Sequence, residues 1–408
     1  MSKWLFRFRA LDTFFFRDGT PFHAEEPGVT PHGVFPPSIF TLQGAIRAAL
    51  AYYIKEWVPG KKWPEELGKV ETEGLPEEEK RKKWGEPDDL GCLRLSGPYL
   101  QVDGKRYFPA PLLLIGRKED PEDNECSNHG KMEKYRELTR LKPTESCYTS
   151  DLGRELRFLE PEKKIPDSKL IAGWLDSEGM EAVLNGKVPD PQSVLIPGDK
   201  WKSERRVGIM RDINKRTAMD HHLYTITHIR PEQDVELVVE VSMNKDWQPL
   251  GKIMNPLGGE GRFAEVMVEE AGQNTDFPKM PAAEQFVDQD GKLRFTVSLL
   301  TPARYLDMKK AVLEGPPEIQ KVLESEKNER CVSASVGKAI QVGGWNVAAR
   351  WPRTLQSFLP VGSTWFYEAS MDKLPELAKL HGTLTGKCKY KAYGMGQIMI
   401  GTWKQGGK

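Results

Sequence analysis

At 408 residues the chain is long enough for two ordinary domains, and its composition, 38% hydrophobic and 29% charged, excludes the disordered and fibrous classes. Lysine plus arginine equals aspartate plus glutamate at 59 each, which excludes a non-specific attraction of the whole molecule to nucleic acid. Five scattered cysteines (Cys92, Cys126, Cys147, Cys331, Cys388) without a CxxC pair, no apolar run of membrane-spanning length and an opening without a signal peptide's apolar stretch together point to a cytoplasmic protein, neither secreted nor membrane-spanning.

Lys3 to Phe16 is rich in aromatic residues and predicts an opening strand that stops at the turn signal Arg17-Asp18-Gly19. A Pro/Gly-rich loop follows to Pro37. Leu42, Ala45, Ile46, Ala49, Leu50, Tyr53 and Ile54 then recur at helical spacing, with Ser38 or Thr41 available as the N-cap. Gly60 to Leu90 carries seven basic and ten acidic residues without hydrophobic periodicity and reads as a solvated insertion. Strand-like sequence returns at Leu93 to Leu114, so a sheet domain is expected over 1–115. The stretch 116–194, charged and broken by prolines, reads as linker or insertion with short helices, one of them from about Leu170 to Leu184. A second α+β domain is expected over 195–408, with strands at Leu223–Ile229, Val235–Ser242, Leu293–Leu300, Val336–Val342 and Ser363–Ala369, a helix at Met371–Leu380 and a final strand at Gln397–Trp403. Two sheet domains of similar build suggest an old duplication.

Two segments carry binding chemistry. Arg205, Arg206, Arg211, Lys215 and Arg216 cluster around Gly208 and Asn214 in the pattern of a basic hairpin, where the planar guanidinium fork suits phosphate; a merely solvated hairpin explains them equally well. From Cys331 to Lys408 there are ten basic and three acidic residues, with glycines that allow close backbone approach: Gly337-Lys338, Gly343-Gly344-Trp345 and Tyr393-Gly394-Met395-Gly396. Lys387, Lys389 and Lys391 alternate, which places all three on one face if that piece is extended. Each glycine taken singly is explained by a turn. Gly258 to Gly261 lacks the spacing of a dinucleotide fingerprint, and no Walker loop occurs. Cys126, His129 and Cys147 are too dispersed for zinc. Alternation sends His222 and His228 to one face and His221 to the other, which does not assemble a three-ligand metal site. His23 and His32 lie in the loop after the first strand, where a general base for RNA cleavage is conceivable and simple exposure is commoner.

Ala10 to Phe22 (ALDTFFFRDGTPF), Phe35 to Leu50 (FPPSIFTLQGAIRAAL), Leu95 to Leu100 (LSGPYL), Glu204 to Tyr224, Leu257 to Arg262 (LGGEGR), Gly343 to Trp345 (GGW) and Pro360 to Tyr367 (PVGSTWFY) together resemble the RAMP (repeat-associated mysterious protein) superfamily of CRISPR systems. More narrowly, they resemble its third-numbered subunits of type III-B Cmr effector complexes. The resemblance implies two ferredoxin-like (RRM-like) domains with insertions and a glycine-rich loop near the C-terminus. It also implies a non-catalytic, cofactor-free subunit that holds the five-prime tag of crRNA and contacts the large polymerase-like subunit and the adjacent backbone RAMP subunit. Here Gly386, Gly394 and Gly396 supply fewer glycines than the fuller superfamily loop. Adding Arg17, Arg262 and Lys338 to the two basic segments completes the expected RNA surface. The rivals are a metal-independent RAMP endoribonuclease processing repeat RNA, with His23 or His222 as base, and a structural adaptor that touches no RNA.

Overall fold

The structure, a computed structural model, describes residues 2–17, 33–55, 57–59, 61, 63–68, 76, 79, 90–119, 134–211, 215, 218–243, 248, 250–272, 276–323, 330–346 and 351–405. The main elements in chain order are β1 (Ser2–Ala10), α1 (Ile39–Lys55), β2 (Arg94–Val102), β3 (Tyr135–Thr149), β4 (Glu155–Pro161), α2 (Ser177–Leu184), β5 (Trp201–Arg211), β6 (Ala218–Pro231), β7 (Val235–Met243), β8 (Gly251–Pro256), β9 (Phe263–Glu270), β10 (Leu293–Leu299), α3 (Met308–Glu314), α4 (Pro317–Leu323), β11 (Arg330–Ser335), β12 (Thr364–Ala369), α5 (Leu374–Ala378), α6 (Cys388–Lys391) and β13 (Ile398–Thr402). The class is mixed α and β, with antiparallel pairing throughout the registers of the main sheets.

Two compact units interleave along the chain: residues 1–104, 200–272 and 341–356 form one, and 105–199, 273–340 and 357–408 form the other. In the first, the strand order is β8-β9-β1-β7-β2, which mixes strands from both expected domains. The reason lies in β1. Trp4, Phe6 and Phe8 alternate onto one buried face, and a strand so apolar needs neighbours on both edges. It finds β7, with Trp4 opposite Val241, and β9, with Trp4 opposite Glu270. Helix α1 buries Leu42, Ile46, Ala49 and Leu50 and is tied to β8 where the Asn255 side-chain amide donates to the Ala45 carbonyl at 2.9 Å. Ser38 Oγ accepts from the Phe40 amide at the helix start.

The second unit carries the order β11-β12-β10-β13. One face of this sheet presents Phe295, Val297, Trp365, Tyr367 and Ile400 to Ala311, Ile319, Leu323 and Leu377 of α3, α4 and α5. The other face mixes buried Phe366 and Met399 with an ion network: Arg294 is buried and binds Asp288 at 2.5 Å, Asp290 at 2.8 Å and Glu368 at 3.3 Å, while Arg157 of β4 binds Glu368 at 2.7 Å. Among its described residues, the stretch expected as linker with short helices holds α2 and a 3-10 turn at Pro191–Ser193, and its longest elements are strands. β3 and β4 pair in a sheet with Leu114–Lys118 and Lys169–Leu170. Their charged residues belong to strand faces, as Arg157 illustrates.

Candidate nucleic-acid interface

β5 and β6 form a two-stranded antiparallel ribbon, with Trp201 opposite Pro231 at its base and a register shift between Ile209 and Arg211. Strand alternation gives it two unlike faces. One carries Arg205, Val207 and Ile209 outward, the last two 66% and 51% exposed. The opposite face carries Glu204, Arg206, His228 and Arg230 and packs its base on the segment after β1. Arg205 and Arg206, grouped by their adjacency in sequence, therefore serve different surfaces.

On the packed face the ion pairs converge. Asp12 Oδ1 accepts from Arg230 at 2.7 Å, and its Oδ2 meets Arg206 at 3.1 Å and Arg262 at 3.4 Å. Glu204 takes Arg206 at 2.7 Å and Arg230 at 2.6 Å. Hydrogen bonds from Arg206 to Asp12 and from Arg230 to Glu204 hold both carboxyls below their ordinary range. Beside them His228 is fully buried, its Nδ1 2.9 Å from the Thr13 hydroxyl and its ring stacked on Phe15 at 5.2 Å. Burial, reinforced by Arg206 and Arg262, pushes its imidazole below the ordinary histidine range. Neither His228 Nε2 nor Arg262 Nε has a hydrogen-bond partner.

The LGGEGR turn is pinned under this cluster. Gly259 N–H donates to the Phe15 carbonyl at 2.9 Å, and Gly258 has φ +87° with a hypothetical Cβ only 2.6 Å from that same oxygen. Only glycine permits the contact that delivers Arg262 to Asp12.

Other expected site residues are spread over both units. Arg17 is exposed and bridges Gly33 through the backbone, and Lys215 is exposed in the ribbon turn. Gly343 and Gly344 precede Trp345, which is 57% exposed, and Gly344 accepts from the Arg353 amide at 2.9 Å. Lys338 is exposed in the second unit. His23, His32, Cys126, His129 and Arg216 lie outside the described residues, as do the side chains of Arg211, His221 and His222.

The lysines before the C-terminal glycines do not alternate on a strand. Lys387 opens the single helical turn α6, because Tyr390 is drawn into the core against Phe358 and its amide donates back to Lys387 O at 3.0 Å. Lys391 pairs with Glu318 at 2.9 Å, and the Lys389 ammonium lies 5.1 Å from the Tyr390 ring centre. Tyr393, Gly394, Met395 and Gly396 are buried. Gly394 O accepts from Thr301 Oγ1 at 2.7 Å and Gly396 N–H donates to Pro302 O at 2.9 Å, so this loop spends its backbone groups on the protein interior.

Sequence reasoning missed Asp12, Glu204 and Arg230 as members of one cluster. Alternation on β6 was the available signal, since Arg230 shares a face with His228. Among the described residues no group of three His, Cys, Asp or Glu side chains is arranged to hold a metal, and no helix is long and apolar enough to cross a membrane.

Residues 6–403 match the family model described as "CRISPR-associated protein (Cas_Cmr3)". No curated protein matches the chain. Among solved structures it is similar to a chain of the type III-B Cmr-beta complex bound to cognate target RNA, at 13% identity and TM-score 0.49, covering 97% of this chain and 96% of that one. A second structure of that complex, with AMPPnP as well, gives 13% identity and TM-score 0.47 over the same shares, 97% and 96%. A chain of the Csm3-Csm4 subcomplex of the type III-A interference complex gives 15% identity and TM-score 0.30, covering 90% and 92%.

Proposed function

We propose, since this chain belongs to the Cas_Cmr3 family of CRISPR-associated proteins, that it is a non-catalytic, crRNA-binding subunit of a type III-B Cmr effector complex, working in the cytoplasm. It holds the five-prime tag of the guide and contacts the large polymerase-like subunit and the adjacent backbone RAMP subunit. The observation that carries this reading is the family match along nearly the whole chain.

Strand order supports a ferredoxin-like reading of both units. In 293–402 the strands in chain order are β10, β11, β12 and β13, they lie as second-third-first-fourth, and helices follow the first and third. In the first unit β9-β1-β7-β2 has the same order, fourth-first-third-second, with α1 after the first strand and the hairpin strand β8 where the second helix would stand. The shared order also supports duplication.

The ribbon β5–β6 is the RNA-facing element of this reading. Arg205, Lys202 and Lys215 are exposed on it, and the apolar Val207 and Ile209 beside Arg205 suit contact with base or sugar rather than water. Lys387 and Lys389 are secondary phosphate contacts. The test is crosslinking of the assembled complex to a guide with photoreactive bases in its tag. Adducts are expected between 201 and 231; a tag that crosslinks only to other subunits removes this role. In EDTA, repeat RNA is expected to stay intact when mixed with the purified chain.

A further inference from the structure

The geometry assigns to Arg206, Arg230 and Arg262 a phosphate-binding site in which the carboxylate of Asp12 is a resident stand-in, displaced when a phosphate group arrives. For the RNA source of that phosphate, this rests on the crRNA-binding reading above.

Three observations carry it. First, the three guanidinium groups come from three separate places, β5, β6 and the turn before β9, and converge on one carboxylate with the split a phosphate would use: one oxygen takes Arg230, the other takes Arg206 and Arg262. Planar guanidinium forks grip phosphate and carboxylate oxygens by the same hydrogen bonds. Second, the charges do not cancel. Three arginines face two carboxylates, Asp12 and Glu204, leaving one positive charge in excess, and a phosphodiester carries one negative charge. Third, polar capacity is left over: Arg262 Nε and His228 Nε2 are buried without partners, the first of them a donor, and buried polar atoms left unsatisfied in a folded protein ask for an explanation, an absent anion or water among them.

Asp12 can leave. Its side chain is 47% exposed, its bond to Arg262 is long at 3.4 Å, and it sits on the short segment between β1 and the pinned Thr13–Phe16 stretch. Glu204 keeps Arg206 and Arg230 oriented through separate hydrogen bonds when Asp12 swings out. The carboxylate thereby sets a threshold. A weakly held anion does not displace it, whereas a backbone phosphate delivered by RNA already bound along the ribbon does.

The experiment uses the full chain and two probes, inorganic phosphate by isothermal titration and a mixed-sequence single-stranded RNA with a 5′-hydroxyl by fluorescence anisotropy across a salt series. Asp12→Ala and Asp12→Asn are expected to bind RNA about three- to tenfold more tightly than wild type with the salt slope unchanged, because the same phosphate is held in both, whereas Arg230→Ala should lower that slope by about 0.7. Asp12→Ala is also expected to give a phosphate isotherm that Arg230→Ala abolishes. In the wild type, the single-stranded RNA but not inorganic phosphate should slow phenylglyoxal modification of Arg206, Arg230 and Arg262, mapped by mass spectrometry; this arm decides the matter if the Asp12 variants fail to fold. Folded Asp12 variants that bind both probes no better than wild type would reduce Asp12 to a clamp and overturn the site. If the wild type binds RNA in that case, the site falls while the crRNA-binding reading stands. If no form binds RNA but Asp12→Ala binds phosphate through Arg230, the RNA reading falls and the site serves free phosphate.

Discussion

His381 shows how a single side chain ties stability to pH. Its Nε2–H donates to the Pro278 carbonyl at 2.9 Å and its Nδ1 accepts from the Ile400 amide at 3.1 Å, so both nitrogens of the neutral ring are used. A proton on Nδ1 would face an N–H. Burial accordingly pushes its imidazole below the ordinary value of 6.5, and the same cause acts on His228. Above that value folded and unfolded states are both neutral and the histidines are silent. As pH falls below it, the unfolded chain takes up protons the native state refuses, and stability is lost until the folded value is reached. Thermal melts against pH should therefore show a fall in Tm beginning near 6.5, at a cost of about 1.4 kcal/mol for each unit of pKa difference. His381→Gln should lower Tm at neutral pH and flatten that limb; an unchanged limb would show that other groups govern it. Asp12, Glu204 and Asp290, held low mainly by arginine hydrogen bonds, contribute above the carboxylate range and fade only in stronger acid.

At the scale of elements, two glycines make opposite predictions. Gly44 lies in α1 with open space where a Cβ would go, so Gly44→Ala should stabilise by about 0.5–1 kcal/mol through helix propensity. Gly396 has φ +80°, and a Cβ there would lie 2.2 Å from Thr385 O, so Gly396→Ala should lower Tm clearly. Equal, small effects would mean that the C-terminal loop is looser than its hydrogen bonds imply. The ribbon separates two arginines in the same way. Arg205→Ala should leave Tm unchanged and reduce the RNA salt slope by about 0.7, because this side chain is exposed. Arg206→Ala should cost stability as well, by no more than about 1 kcal/mol for a part-exposed ion network. Melting and anisotropy on the same preparations check both. α1, β7, β10 and β12 were legible because their apolar periods are unbroken. β3 and β4 were not, since a strand that sets two exposed charges, Arg136 and Glu137, between buried Tyr135 and Leu138 breaks the period of two and, with Pro143 inside it, has the composition of a linker.

For the whole molecule, what escaped the sequence was which strands are neighbours. β1 pairs with strands that begin at Val235 and Phe263, and nothing local encodes a contact across more than two hundred residues. The Asp12 cluster was hidden for the same reason, its members lying at 12, 204, 206, 230 and 262. A fragment of residues 1–115, which reads as a self-contained domain, should not fold: it retains β1, α1 and β2 but lacks both partners of β1 and the β7 partner of β2, and what remains does not bury enough apolar surface. Circular dichroism and amide dispersion of that fragment test the point, and a cooperative melt would refute it. The placement of β1 also sets a clock on biosynthesis. Trp4, Phe6 and Phe8 leave the ribosome well before their partners: at about 5–20 residues per second the strands that cover their edges follow on the order of ten seconds or more later. Throughout that interval an aromatic strand with unpaired backbone waits on the nascent chain. Yield in a cell is then expected to depend on whether a holding chaperone covers β1 in time, as well as on the stability of the finished protein.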